Sequence, residues 1–299
     1  MLEPTATAET DSILKREPPR PSNSSLPEVP VITIKPSKSW VAIDLADLWA
    51  YRELLYLLIW RELKARYKQT VMGVAWVIMQ PLMTTIIFTI FFSKLARIES
   101  DGIPYPIFAY AGLLPWSFFA SSVTNSSSSL VANAPLITKV YFPRLILPGA
   151  TIGARLVDFA VAFVLLIGMM IYYNVALTLN ILMLFPLIVL VTLLALGVGM
   201  WTAALNVRYR DVGVALPVAL QLWMFASPIL YPLSLVPEKY RAVYMLNPMV
   251  GITEGFRSAL FGLAFNRRAL IFSVVVMLVL LVYSAYVFRR MEKSFADLV

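Results

Sequence analysis

Arg155 and Asp158 stand three residues apart inside a long apolar stretch, a spacing that puts both on one face of a helix. Each alone near the middle of a bilayer would cost about 2.5–3.5 kcal/mol. Paired and turned inward, they read as a structural ion pair. A proton relay would need further titratable groups in the apolar runs, and none is found there. The chain has no cysteine and no histidine. Thiol nucleophiles, structural zinc, histidine general bases and haem ligation by either residue are therefore excluded. None of the twelve glycines precedes a lysine, so the GxxxxGK[ST] phosphate loop is absent and no metal site is expected. Asp44 and Asp47 are a close acid pair, but Asp44 is better placed as the cap of a helix start. Arg208, Arg210 and Asp211 follow an apolar run. They suit either the fixing of topology or contact with a phosphate or a partner.

Other residues suit recognition rather than bond-making. Ser117, Ser121, Ser122, Thr124, Asn125 and Ser126 to Ser129 crowd one apolar run. Small hydroxyl side chains allow close helix packing, or they form the polar wall of a conduit for a hydroxyl-rich cargo. Tyr105, Tyr110, Trp116, Phe118, Phe119, Trp223, Phe225 and Tyr231 cluster toward the ends of two runs. They fit an interfacial belt, or flat faces for sugar rings. Leu54 to Trp60 is apolar and aromatic, and runs directly into Arg61, Lys64, Arg66 and Lys68, the pattern of a helix lying at a membrane surface. Pro135 can open a short helix and Pro143 can close it. Leu136, Ile137, Tyr141 and Phe142 on that helix are expected to be exposed, and so to meet a partner.

The elements that position these residues follow from composition. Of 299 residues, 60% are hydrophobic and only 14% charged, and the mean hydropathy is +0.76. Soluble domains run near 45–50% apolar and about 25% charged, so a polytopic membrane protein is expected. The net charge of +8 then reflects basic loops against anionic lipid rather than nucleic acid. Uncharged runs predict six spans: 69–93, roughly 106–131, 145–173, 181–205, 212–237 and 269–288. With both termini inside, inner segments carry twelve Lys and Arg and outer segments seven, as the positive-inside rule favours. Residues 238–268 are too long for a turn and predict two short helices dipping back into the outer leaflet. Residues 1–40 hold seven of the twenty prolines, five acids and five bases, the composition of a disordered tail.

Several stretches, in this order, resemble the permease subunits of type-2 ABC exporters for lipid-linked polysaccharides, a family serving O-antigen, capsule and teichoic acid. They are Arg66-Tyr67-Lys68-Gln69-Thr70, Trp76 with Gln80-Pro81, Tyr110 to Phe119, Leu136 to Arg144, Asn206 to Asp211, Ser227 to Pro232, Asn247-Pro248-Met249 and Glu254 to Arg257. The resemblance covers roughly residues 50–290. It implies an all-α polytopic membrane protein in the bacterial cytoplasmic (inner) membrane, with both termini cytoplasmic. A tail over 1–40 would precede an amphipathic interface helix within 41–69 and a six-span domain over 70–299. It further implies a homodimer clamped by two ATP-binding subunits, which hold the ATP and Mg, with no cofactor in this chain. Leu136, Ile137, Thr138, Lys139, Val140, Tyr141, Phe142 and Pro143 would be the coupling helix. Arg61, Lys64 and Arg66 would meet an anionic lipid headgroup. Trp116, Phe118, Phe119, Trp223, Phe225, Tyr231, Tyr244 and Asn247 would form the channel and its outer gate. A drug or small-lipid exporter on the same scaffold and a membrane-embedded glycosyltransferase are the rival expectations.

Overall fold

The structure, a computed structural model, describes residues 49–68, 73–95, 97, 100–292 and 295. The predicted tail and the Asp44–Asp47 helix start lie outside the described residues. All regular elements described are helical: α1 (Arg52–Lys68), α2 (Gly73–Phe88), α3 (Tyr105–Ala132), α4 (Ala134–Lys139), α5 (Ile146–Tyr172), α6 (Leu184–Arg208), α7 (Asp211–Phe225), α8 (Glu238–Tyr244), α9 (Pro248–Phe261) and α10 (Arg267–Glu292). A π-helical segment, Thr89–Leu95, extends α2, and a 3-10 turn, Leu179–Met183, leads into α6.

Five helical stretches are long and apolar enough to cross a membrane: Ala75–Ser93, Tyr105–Ala132, Ile146–Tyr172, Leu179–Arg208 and Arg267–Glu292. They match five of the six predicted spans. The sixth run, 212–237, yields α7, a helix of 15 residues, and a single 3-10 turn, Leu233–Leu235. At 1.5 Å per residue that is about 22 Å, short of a hydrocarbon core of about 30 Å. Pro228 disfavours helical backbone at Ser227, and Pro232 and Pro237 lack the N–H a continuing helix needs.

α3 is the axle of the bundle, flanked by α5 and α6 along its length and by α9 near its start. One core surrounds it from Ile107 to Val123, where Ile107, Phe119 and Val123 cluster with Leu166 of α5, Leu194 of α6 and Phe256 of α9. A second core lies at the α4 end, where Leu130 meets Leu58, Ile137, Phe142, Met200 and Phe288. Lipid tails are as apolar as leucine, so helices in a membrane associate through close packing and shared hydrogen bonds. α9 illustrates this. A Cβ at Gly251 would collide with the Ala269 carbonyl oxygen and the Ser273 hydroxyl of α10. Gly251→Ala is therefore expected to cost about 1–3 kcal/mol, read as a lower melting temperature in detergent, whereas Gly168→Ala, with open space around it, leaves melting unchanged.

Candidate functional site

A cavity of about 810 Å³ lies between α2, α3, α5 and α7. α3 supplies Trp116, Ser117, Phe118, Ser121, Thr124 and Asn125; α2 supplies Trp76, Gln80 and Thr84; α7 supplies Gln221 and Met224. The hydroxyl-rich run of α3 divides by helical spacing into two stripes. Ser117, Ser121, Thr124 and Asn125 face the cavity. Ser122, Ser126, Ser127 and Ser129 are buried, and Asn206 of α6 donates to the Ser127 carbonyl at 3.0 Å. Close packing thus describes one side of the helix, and the other side lines the cavity. Along the cavity stripe, Thr124 donates to the Ala120 carbonyl at 2.8 Å and Asn125 to that of Ser121 at 2.6 Å. A hydroxyl that donates to its own helix keeps acceptor capacity on its oxygen. The wall thus combines hydroxyl and amide groups with flat aromatic faces, and the charged Arg66, Arg155 and Asp158 line it as well.

At the end remote from α4, the aromatic residues form a connected chain. Trp223 meets Phe119 edge-on at 5.1 Å between ring centroids and Trp116 at 6.3 Å. Its indole N–H donates to Asn247 Oδ1 at 2.9 Å. Asn247 caps α9 by accepting from the Met249 N–H at 3.0 Å, and its amide donates to the Ser227 hydroxyl at 2.8 Å. Tyr231 and Tyr244 pair through their hydroxyls. Burial, with that pairing, raises the Tyr244 phenol above its usual range. Of the eight channel and gate candidates, only Trp116 and Phe118 line the cavity. Phe119 is fully buried behind it, and Phe225 points outward.

Asp158 is held from three sides. Arg155 Nη1 donates to Oδ2 at 3.0 Å, Arg66 Nη1 donates to the same oxygen, and the Tyr67 hydroxyl donates to Oδ1. The expected Arg155–Asp158 pair is present, but it is part of a larger group that ties α1 to α5. Leu55 and Ile59 lie against Gly149 and Gly153 in the same register, so α1 and α5 run in the same direction where they touch. Burial and the bond to Asp158 hold the Tyr67 phenol well above its ordinary pKa, which keeps it a donor. Arg66 therefore does not share a face with the other two headgroup candidates. Arg61 and Lys64 line a shallow cleft with Trp60 and Lys68, and Lys64 sits 5.5 Å from the Trp60 ring. The spacing carried this signal: residues 61, 64 and 68 share one helical face, and 62 and 66 another.

The segment expected to present an apolar helix behaves otherwise. Helix α4 ends at Lys139, and Val140 is extended at φ −132° and ψ 134°. Ile137 and Phe142 are buried in the core at the α4 end, while Val140 and Tyr141 are 52% and 71% exposed. The expectation that Ile137 and Phe142 are exposed is thus corrected. Leu58, Met200 and Phe288 lie in the same core, and consecutive residues of extended backbone point to opposite sides. Thr138 and Lys139 remain exposed, and Leu136 and Pro143 are half-buried.

The profile of the ABC-2 type transporter family matches residues 53–261. The O-antigen export system permease protein RfbA of Myxococcus xanthus is 32% identical over 256 residues, 84% of this chain and 97% of the relative. A protein of the same description from Klebsiella pneumoniae is 28% identical, covering 82% of this chain and 95% of its own length. The polysialic acid transport protein KpsM of Escherichia coli is 26% identical over 69% of this chain and 80% of its own length. A match over most of the chain, together with a relative alignable nearly end to end, establishes that the chain belongs to the ABC-2 type transporter family.

Proposed function

We propose that the chain is the membrane-spanning permease subunit of an ABC transporter that exports a lipid-linked polysaccharide across the bacterial cytoplasmic membrane. Two copies would be clamped by two ATP-binding subunits, with both termini cytoplasmic and α7 plus the reversal after it making the sixth crossing. The observation that carries this reading is the cavity wall, where hydroxyl and amide groups alternate with aromatic faces. A glycan presents hydroxyl edges and apolar C–H faces, and such a wall offers both a match. The relatives' O-antigen and polysialic acid cargoes favour a glycan over a drug or a simple lipid. The surface formed by Thr138, Lys139, Val140 and Tyr141 is the place where motion of the ATP-binding subunit would enter.

The test is ATP-dependent export of glycan by the assembled transporter in proteoliposomes. Thr124→Val combined with Asn125→Leu keeps volume but removes two hydrogen-bonding groups. At about 0.5–1.5 kcal/mol each, export should fall roughly tenfold, with assembly and basal ATP hydrolysis retained. Unchanged export in that variant would remove the cavity from the cargo's path.

A further inference from the structure

The backbone leaving α7 passes an exposed Phe225 and Ala226 and is buried from Ser227 to Leu230, where every carbonyl still needs a donor. Six consecutive carbonyls find one. Phe225 accepts from the Tyr231 hydroxyl at 3.0 Å and Ala226 from Asn247 Nδ2 at 3.1 Å. Ser227 accepts from the Ile229 N–H at 2.8 Å. Pro228 and Ile229 accept from the two terminal nitrogens of Arg257, at 2.7 and 2.6 Å, and Leu230 from the Tyr105 hydroxyl at 2.8 Å. Only one of the six bonds comes from the backbone. Arg257 alone serves two neighbouring carbonyls, and its side chain is 2% exposed.

The rest of its surroundings are arranged around the guanidinium. It lies 3.6 Å from the centroid of the Phe108 ring, a stacking contact suited to a planar cation. Glu254, one turn earlier on α9, accepts from Nη1 at 3.1 Å and balances the charge. Gly112 of α3 leaves the needed space: a Cβ there would stand 2.6 Å from the Ile229 oxygen and 2.8 Å from Arg257 Nη2. One side chain thus joins α3, α9 and the reversal, at the end of the bundle where the Trp223–Asn247 contact also lies. The reversal continues directly from α7, whose Gln221 and Met224 wall the cavity.

We propose that Arg257 is a positioning residue that keeps the cavity shut at the end remote from α4, its guanidinium supplying the donors that a continuing helix would have given. The inference rests on the reading of this cavity as the cargo path. Lysine does not replace it, because one ammonium neither spans two adjacent carbonyls in a plane nor stacks flat on Phe108.

The test uses the assembled transporter, with its ATP-binding subunit, in liposomes loaded with a small anionic dye and without ATP. Arg257→Ala is expected to leak dye at least about tenfold faster than the native transporter, the factor carried by 1.4 kcal/mol of closed-state preference. Added guanidinium ion should restore closure and methylammonium should not, a distinction that a merely structural loss would not produce. A tight Arg257→Ala, or equal rescue by methylammonium, overturns the proposal. If Arg257→Ala does not assemble, Tyr105→Phe, which removes only the donor to Leu230, should leak measurably; a tight Tyr105→Phe would then overturn it. Dye leak requires neither glycan nor ATP. Failure here therefore leaves the export reading standing, whereas a transporter that leaks as expected but carries no glycan would refute that reading alone.

Discussion

Asp158→Ala should lower the unfolding free energy of the detergent-solubilised protein by about 3 kcal/mol, within the roughly 3–5 kcal/mol that follows loss of one partner from a buried pair. The low end applies because Arg66 keeps 24% of its side chain exposed, and water can reclaim part of what it loses. Three donors on two helices lose their acceptor at once: Arg155 Nη1, Arg66 Nη1 and the Tyr67 hydroxyl. Arg155 suffers most, because its Nε is already buried without a partner among the described residues. The local consequence is as informative as the melting curve. α1 should separate from α5, and limited proteolysis should cut within Arg61 to Lys68 well before global unfolding. Asp158→Asn keeps a carbonyl oxygen for the donors and should fall between the two. Equal stability of all three proteins would mean that the cluster holds nothing in place.

Phe142→Ala and Tyr141→Ala should separate folding from coupling, although the residues are neighbours. Phe142 is 4% exposed in the core at the α4 end, and truncating a buried phenylalanine costs about 3–5 kcal/mol. Tyr141 is 71% exposed, where surface substitutions stay within about 0.5 kcal/mol. Tyr141→Ala should therefore melt like the native protein. If Tyr141 is an anchor on the ATP-binding subunit, its truncation should weaken that association by about 2 kcal/mol or more, read as loss of copurified subunit and of cargo-stimulated ATP hydrolysis. Lost coupling in Phe142→Ala alone would carry no such meaning, since the segment it anchors would no longer be held.

The sequence was most legible where physics is local. Five apolar runs become membrane-length helices close to their expected limits, because hydropathy sums along the chain and helix length is set by bilayer thickness. Run 212–237 does not form one membrane-length helix, because hydropathy registers its apolar side chains and not where its carbonyls find donors. Those donors include Tyr105 and Arg257, remote in sequence from the reversal. The Glu254 to Arg257 stretch carried a local signal, since an acid and a base three apart among apolar residues imply a buried pair. What the base would hold was not visible. Ile137 and Phe142 were misplaced for a similar reason, because the surface that covers them is assembled from α1, α6 and α10. The polar stripe of α3 was legible as a set of residues, but only the placement of α6 decides which of its serines face another helix.

The bond from Arg66 to Asp158 spans 92 residues of sequence, and this bears on how the protein is made. At about 5–20 residues per second, α1 leaves the ribosome roughly 5–18 s before its carboxylate partner has been translated. During that interval Glu62, one turn away and 3.9 Å from Arg66 in the folded protein, is the carboxylate within reach. The ion pair that ties α1 to α5 can therefore form only after Asp158 has been made, so the seating of the N-terminal helix on α5 is timed by synthesis of the third long helix.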